Sequence, residues 1–330
     1  MDIIEHAIQA ISGKDKKVVF TECTDVRILQ AARILYDRKI CMPVLLGSPE
    51  EIVEASDKHQ ISLEGLSVYN KDNETKKQEV AERYCKIMPG ISEKRACKKM
   101  AYPLNYAAML VKTGYADCMA SGVVSTTGDV ILAAQQFIGV KAFVDTISSI
   151  GFQVIRSFDG SNEDKVIGVA DCAVCADPNA QELADIAITS ADSYAQVMTE
   201  PARVAMLSYS TFGSSTGPSV DLVVEAIKIA HEKRPDLMID GECQIDTALS
   251  PEIAKRKAKA ESDVMGKANV LIFPNLSAGN IAVKCMQLFG GKRSYGPLLQ
   301  GFSEMVTDFS RAATVEDVVG NVVLCLMKGV

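Results

Sequence analysis

Histidine is scarce in this sequence, and no other pattern of metal ligands replaces it. Only three histidines occur among 330 residues, and His6, His59 and His231 are far apart along the chain. Ten cysteines are scattered without the rhythm of a disulfide framework, and the single CxxC motif, Cys172 to Cys175, has no second CxxC to complete a zinc site. These absences predict reduced, mostly buried thiols and no metal site.

A basic surplus and long apolar runs are also absent. The chain has 35 Lys and Arg against 42 Asp and Glu, a net charge of -7, so no overall attraction to nucleic acid or anionic lipid is expected. No apolar run approaches the roughly 18 residues of a membrane span, and the first residues lack the features of a signal peptide. We therefore expect a cytoplasmic protein without nucleic-acid or membrane partners, in which local donors hold any anionic ligand.

What the sequence does contain is an alternation of short β-branched runs with longer segments of helical apolar spacing. The composition, 48% apolar and 23% charged, is typical of globular proteins, and 330 residues suffice for about two domains. The alternation predicts βαβ units on a parallel sheet and therefore an α/β fold. Strands are predicted at residues 17–20, 42–47, 116–124, 142–155, 166–170, 203–208, 237–239 and 270–273. Helices are predicted at residues 25–39, 68–100, 106–113, 128–134, 179–198, 220–233, 251–261, 281–288 and 315–326, and a hairpin tip at 156–164.

Three predicted strand-to-helix turns are rich in glycine and in hydroxyl or amide side chains: residues 121–129, 208–217 and 274–280. Turns of this kind present unpaired N–H groups and the positive end of a helix dipole, so each is a candidate anion site. Helix capping and tight turning explain the same residues without a ligand. Because neither GxxxxGK(S/T) nor GxGxxG occurs, both interpretations stay open.

Residues 213–217 also fit the GxSxG pattern of a serine hydrolase. That design requires an acid and then a histidine downstream of the serine. The only later histidine, His231, lies within the helix that follows directly. The order of the residues therefore argues against a hydrolase.

A cation and a carboxylate meet just before the last predicted helix. Ser310 and Arg311 precede Thr314, and Asp317 follows three residues later. Thr314 with Asp317 is also the pattern of a capping box, and Arg311 is equally able to pair with a surface carboxylate. From the residues alone, the structural and functional interpretations both stay open.

Motifs along almost the whole chain resemble those of the phosphate acetyltransferase family, within the phosphate acetyl/butyryltransferases. The residues that carry the resemblance are 21–27 (TECTDVR), 121–127 (SGVVSTT), 205–211 (AMLSYST), 240–246 (DGECQID), 266–276 (GKANVLIFPNL), 279–281 (GNI), 296–301 (GPLLQG) and 308–311 (DFSR). Each motif is weak alone, but their order and spacing make the resemblance specific.

The resemblance implies a fold of two α/β domains with largely parallel sheets, like that of isocitrate and isopropylmalate dehydrogenases, with the active site in the interdomain cleft. Residues 1–145 and 297–330 would form a discontinuous first domain, and residues 146–296 the second. The implied reaction is reversible transfer of an acetyl group between acetyl phosphate and coenzyme A, by direct attack of the thiolate in a ternary complex. Coenzyme A, acyl phosphate and phosphate are then substrates, no cofactor is tightly bound, and a homodimer is expected.

Catalytic roles for three residues also come from the resemblance. Asp317 is expected to be the base, since a thiol of pKa about 8.5 is mostly protonated at neutral pH. Arg311 is expected to neutralise charge on the carbonyl and phosphoryl oxygens, with Ser310 donating a hydrogen bond beside it. The residues expected to bind phosphate and coenzyme are Ser125, Thr126, Thr127, Gly128, Ser208, Ser210, Thr211, Gly213, Ser214, Asn275, Gly279, Asn280 and Lys86.

The sequence departs from the family pattern where cationic or polar groups are usual. Leu132 replaces an arginine in the helix after the first turn, and Lys86 aligns with a second arginine. Phe212 replaces the lysine of Ser-Thr-Lys-Gly, and Ala312 and Ala313 replace Gly-Cys after Arg311. Lysine loses the bidentate phosphate contact of arginine, and leucine loses it altogether.

Two alternatives therefore stay open. One is a preference for propanoyl or butyryl groups, because acyl size depends on a pocket shape that the sequence does not reveal. The other is a catalytically weak regulatory module that binds acetyl-CoA but leaves acetyl phosphate untouched. Leu132 motivates this second alternative, and the retention of Ser310, Arg311 and Asp317 argues against it.

Overall fold

Strands and helices alternate along the chain in the computed structural model, which describes residues 2–142, 144–161, 163–258, 261–290 and 293–329. The strands are β1 (Lys17–Phe20), β2 (Met42–Gly47), β3 (Ser67–Asn70), β4 (Cys118–Ser121), β5 (Ser148–Arg156), β6 (Asp164–Ala170), β7 (Arg203–Leu207), β8 (Met238–Cys243), β9 (Val270–Ile272), β10 (Ser294–Gln300) and β11 (Met305–Asp308). The helices are α1 (Ile3–Ile11), α2 (Val26–Asp37), α3 (Pro49–His59), α4 (Glu74–Ile87), α5 (Glu93–Met100), α6 (Pro103–Lys112), α7 (Thr127–Phe137), α8 (Ala180–Met198), α9 (Pro218–Lys233), α10 (Ile245–Leu249), α11 (Pro251–Lys257), α12 (Leu276–Phe289) and α13 (Val315–Met327).

The chain divides into two compact units. The first unit comprises Asp2–Ala142 and Phe302–Val330, and the second comprises Phe143–Gly301. The sequence-based boundaries were 145/146 and 296/297. The assignment of these units as functional domains, and of a cleft between them as the active site, stays a prediction.

The first unit contains a parallel sheet in the order β3-β2-β1-β4-β11. Helix α13 packs against α1 and α2, whereas α6 packs against α7 and against strands β1, β2 and β4. Every residue of α13 from Val318 to Met327 is buried. The last helix is therefore confirmed in type and position, but it is not amphipathic from Val318 onward, because all its faces are buried there and build much of the unit's core.

The second unit contains strands in the order β10-β5-β6-β9-β7-β8. Strands β10, β5 and β6 are antiparallel neighbours, and β6, β9, β7 and β8 run parallel. The predicted hairpin is confirmed, since β5 and β6 pair antiparallel from Arg156 opposite Asp164. The α/β class predicted from the alternation is thus found in both units.

Some predicted elements are wrong in extent. The helix predicted over 68–100 is instead strand β3 followed by α4 and α5, because Pro89 cannot continue a helix and Gly90 has a positive φ of 97°. The strand predicted from 142 begins at Ser148. Helix α11 ends at Lys257, and residues 259 and 260 of the predicted helix lie outside the described residues.

All ten cysteines are free thiols, and six of them are buried. Burial raises the pKa of Cys172 to about 12 and that of Cys175 to about 11. Within the described ranges, no helix is both long and apolar enough to cross a bilayer. The same residues contain no group of three or more side chains that could hold a metal ion.

Candidate active site

The carboxyl edge of the first unit's sheet brings together three of the motifs. Residues 21–25 follow β1, residues 122–128 follow β4 and residues 309–317 follow β11, and these three strands are neighbours. The connections from β1 to β2 and from β3 to β4 cross the sheet in opposite directions, so right-handed crossovers place α2 and α6 on opposite faces. Helix α7 packs with α6, so the chain turns to one face of the sheet after β1 and to the opposite face after β4. Open α/β sheets bind their ligands at such a point.

A cavity of about 550 Å³ lies at this point of divergence. Its wall includes Tyr102 before α6, Val124 and Ser125 after β4, and Asp129 and Leu132 on α7. Leu132, whose surface is 65% exposed, thus contributes an apolar wall where the family pattern has an arginine. No lysine, arginine or histidine of the described ranges lines the cavity.

The carboxylate of Glu22 occupies the backbone amides of the turn after β4. Its Oε2 accepts hydrogen bonds from Gly122 N at 2.9 Å and Val123 N at 2.8 Å. Its Oε1 accepts from Val124 N at 3.1 Å and Ser125 N at 2.6 Å. The expectation of unpaired amides in this turn is wrong for residues 122–125, because the protein's own carboxylate fills the place of an anion.

The hydroxyl groups of the same turn serve the structure as well. Thr126 caps α7 by accepting a hydrogen bond from Asp129 N at 3.2 Å, and Gly128 lies in the first turn of that helix. Thr127 Oγ1 donates to Asp308 Oδ2 at 2.5 Å. Substrate binding by Ser125 through Gly128 stays a prediction that rests on the hydroxyl groups of Ser125, Thr126 and Thr127 and on the main chain of Gly128 rather than on the amides of 122–125.

Asp308 is a buried carboxyl group at the end of β11. Its Oδ1 has no hydrogen-bond partner among the described residues. Its pKa is raised to about 6, mainly by burial and to a smaller extent by nearby Glu22, while the hydrogen bond from Thr127 opposes the rise. Gly122 is fixed as glycine here, because a Cβ at φ 120° would lie 2.3 Å from Asp308 Oδ1.

Ser310 and Arg311 follow β11 and are exposed. Ser310 Oγ accepts a hydrogen bond from Ala312 N at 3.2 Å. The guanidinium of Arg311 makes no hydrogen bond or ion pair within the described part of the chain. An exposed arginine without a partner among the described residues, beside a turn whose amides are occupied by Glu22, is a cation available to a ligand.

Asp317 belongs to a capping box at the start of α13. Its Oδ2 accepts from Thr314 N at 2.9 Å, and Thr314 Oγ1 accepts from Asp317 N at 3.2 Å. The structural interpretation given for this pair is therefore confirmed. The box uses only Oδ2, so it leaves room for Asp317 Oδ1 to accept a proton, and the base role stays a prediction.

Arg27 ties the three segments together. Its Nη1 donates to Arg311 O at 2.8 Å and Ala313 O at 3.1 Å, and its Nη2 donates to Val123 O at 3.2 Å. The hydrogen bonds from Arg27 hold the pKa of Asp25 below its usual value. The main chain of the Arg311 segment is therefore fastened to the ends of β1 and β4.

The second predicted turn, after β7, lies in the second unit and is built around the buried carboxylate of Glu242. Glu242 Oε1 accepts from Ser210 Oγ and Gly213 N, both at 2.7 Å. Thr211 Oγ1 accepts from Gln244 N at 3.0 Å. Ser208 Oγ accepts a hydrogen bond from Ser210 N at 3.2 Å, and Ser214 Oγ accepts one from Thr211 N at 2.9 Å. These side chains stabilise the turn itself, and substrate binding by them stays a prediction.

The third predicted turn, 274–280, also lies in the second unit, but the prediction of a turn is wrong from Leu276 onward, where α12 already begins. Asn275 caps α12 by accepting from Ala278 N at 3.0 Å, and Asn280 Nδ2 donates to Cys172 O at 3.0 Å. At Gly279 a Cβ would lie 2.1 Å from Asp171 O, so the helix approaches the end of β6 as closely as glycine permits. Binding roles for these residues stay predictions.

Lys86, the remaining residue expected to bind substrate, lies in the last turn of α4. It is exposed and does not line the cavity. The sequence interpretation gave no site role to Glu22, Arg27 or Asp308, although all three belong to the motifs that carry the resemblance. For Glu22 the available signal is its position two residues after the predicted strand 17–20. Arg27 lies within the predicted helix 25–39 and no strand is predicted at Asp308, so strand position gives no signal for these two residues.

The fold places the chain among the phosphotransacetylase structures. It superimposes on the EutD phosphotransacetylase from Staphylococcus aureus with a TM-score of 0.90 at 33% identity, covering 99% of this chain and 98% of that chain. A phosphotransacetylase from Streptococcus pyogenes gives the same TM-score at 34% identity, covering 98% of this chain and 97% of that chain.

Sequence comparison identifies the family. A phosphate acetyltransferase from Acetivibrio thermocellus is 36% identical over 322 residues, which are 97% of this chain and 96% of the relative. The family model described as phosphate acetyl/butaryl transferase matches residues 2–326. The chain therefore belongs to the phosphate acetyl/butaryl transferase family, as its motifs predict.

Proposed function

We propose that this protein is a phosphate acetyltransferase, which converts acetyl-CoA and phosphate to acetyl phosphate and coenzyme A, and the reverse. The observation that carries the proposal is similarity over nearly the full length to enzymes of that name, at about 36% identity. Propanoyl or butyryl transfer and a purely regulatory role are not favoured by these relatives. Coenzyme A is a substrate here rather than a bound cofactor.

The proposed chemistry is one displacement at the acetyl carbonyl carbon. In the direction of acetyl-CoA formation, the thiolate sulfur forms the C–S bond, the bond from the carbonyl carbon to the bridging oxygen breaks, and phosphate leaves with that oxygen. The thiol proton passes to Asp317. Arg311 stabilises the negative charge on the carbonyl and phosphoryl oxygens, and Ser310 donates a hydrogen bond beside it.

The structure supports these roles through the free guanidinium of Arg311 and the position of Asp317 in the same segment after β11. Main-chain amides 122–125 are occupied by Glu22, so these four amides are not available to phosphate. The homodimer expected from the family stays a prediction.

Asp317→Asn tests the base role. Asparagine retains an oxygen that accepts from Thr314 N but cannot take a proton at neutral pH, so the cap is kept and the base is lost. A general base contributes about 100-fold to 10⁴-fold to the rate, so we expect kcat to fall at least about 100-fold. The KM for coenzyme A is expected to change little.

Thr314→Ala is the matched control, because it removes the cap and keeps the carboxylate. We expect it to lower the free energy of unfolding by about 1 kcal/mol and to retain most of kcat. If Asp317→Asn instead loses stability and keeps its kcat, Asp317 is only a capping residue.

A further inference from the structure

Arg27 uses all the hydrogen-bonding capacity of its guanidinium within the first unit. Nε and Nη2 bind the two oxygens of Asp25 at 3.0 and 2.8 Å. The remaining donors reach the carbonyls of Val123, Arg311 and Ala313 already described. Five N–H groups therefore meet five acceptor contacts, which is the maximum for arginine.

Asp25 holds the guanidinium of Arg27 in a fixed position. Asp25 is the N-cap of α2, and its Oδ1 also accepts from Arg27 N at 2.9 Å. The side chain is only 26% exposed. Because the carboxylate grips both the main chain and the side chain of Arg27, the guanidinium has a fixed direction relative to the end of β1.

Arg27 contacts the main chain of the segment that carries the proposed catalytic residues. The two carbonyls bound by Nη1 belong to Arg311 and Ala313, on either side of Ala312. Ser310 and Arg311 project from this stretch, and Thr314 begins the cap of α13 directly after it. A shift of this main chain changes the direction of the Arg311 side chain and the start of the helix that carries Asp317.

We propose that Arg27 is a positioning residue for the acyl-transfer reaction, which holds the Ser310–Ala313 main chain in the geometry that catalysis requires. The inference rests on the proposed function. Arg27 acts through this main chain and through Val123 O, and it has no donor left for substrate. Misplacement of a reacting group by about 1 Å costs on the order of 100-fold in rate, so the loss of this fastening is expected in kcat.

Lysine cannot reproduce these contacts. An ammonium has three donors on one atom, whereas the arginine fork spans a carboxylate and three separate carbonyls. We therefore expect Arg27→Lys to lower kcat at least about tenfold, with the KM values for acetyl phosphate and coenzyme A changed less than about threefold.

Arg33→Lys is a closely matched control on the same helix. Arg33 also binds a carboxylate with Nε and Nη2, that of Asp37 at 2.9 and 2.5 Å, and its Nη1 donates to the carbonyls of Ser62 and Glu64 at 3.3 and 2.7 Å. These contacts lie away from the segments after β4 and β11. We expect Arg33→Lys to lose a similar amount of thermal stability and to keep kcat within about twofold of wild type.

Asp25→Asn provides a second variant if Arg27→Lys does not fold. Asparagine keeps the N-cap of α2 and leaves Arg27 in place but weakens the charged grip on its guanidinium, so we expect a smaller fall in kcat in the same direction.

The measurements are kcat, both KM values and the thermal midpoint for wild type and each variant. If Arg27→Lys and Asp25→Asn keep kcat within twofold while losing thermal stability as Arg33→Lys does, Arg27 is only structural and the inference is wrong. Absence of turnover in the wild-type protein would overturn the proposed function and this inference together.

Discussion

At the scale of single residues, this acidic protein satisfies its own turns with carboxylates. Glu22 serves four amides after β4, Glu242 serves the turn after β7, and Asp171 accepts from the amides of residues 173–175 at 3.0, 3.3 and 2.7 Å. Turns that look ready for phosphate in the sequence are thus partly filled by the protein.

Asp308→Asn tests the buried carboxyl group beside these turns. In the folded protein Asp308 keeps its proton up to a pKa of about 6, whereas an ordinary aspartate loses it near 3.8. The folded state therefore binds more protons between these values, and this group's contribution to stability is lost as the pH rises from about 4 to about 6.

We expect the Asp308→Asn variant to escape this loss of stability with rising pH. Asparagine cannot ionise, so relative to wild type the variant gains stability between pH 4 and pH 7, by at most about 3 kcal/mol for a shift of about two pKa units. Denaturant unfolding of both proteins at pH 4, 5, 6 and 7 measures this difference. If the difference in the free energy of unfolding between the two proteins is the same at all four pH values, the pKa of Asp308 does not differ between the folded and unfolded states, and the prediction is wrong.

The sequence predicts contacts in the candidate site only where the two residues are close together along the chain. The box of Thr314 with Asp317 is predicted correctly, because both partners lie within one helical turn. The grip of Glu22 on the turn after β4 joins residues about 100 positions apart, as does that of Arg27 on Val123. Such contacts depend on which strands are neighbours and in what register, which residue types alone do not specify.

At the scale of elements, the last helix is the clearest success of sequence interpretation. Its apolar residues recur at the helical period, and the structure buries all of them from Val318 onward. Strands β1 and β2 have the predicted limits because both are short, buried and bounded by polar turns. The error over 68–100 arises because a high density of charged residues hid strand β3, whose residues are only partly buried apart from Tyr69.

Leu324→Ala tests how much α13 contributes to the first unit. Leu324 is fully buried, and α13 packs on α1, α2 and β11. Loss of its side chain is expected to lower the free energy of unfolding by about 2–5 kcal/mol, since a cavity remains. The control is Val53→Ala on α3, where the side chain is 46% exposed and a change within about 0.5 kcal/mol is expected. Equal effects at both positions would show that α13 is not part of the cooperative core.

At the scale of the whole molecule, the fold is accounted for more completely than the site. Two α/β units follow from the alternation of strands and helices, and full-length relatives and structures agree with the family that the motifs indicate. The net charge of -7 means that anionic substrates depend on local cations. In the segment after β11 we propose Arg311 as that cation, and Leu132 places an apolar side chain in the cavity wall.

The most direct test of this account is thioester formation from coenzyme A and acetyl phosphate by the purified wild-type protein without added metal, with propanoyl and butyryl phosphate in parallel. We predict rapid formation of acetyl-CoA with one phosphate released per thioester, and slower reaction with the two longer acyl phosphates. A protein that binds acetyl-CoA but forms no thioester from any of the three would contradict the assignment as a phosphate acetyltransferase.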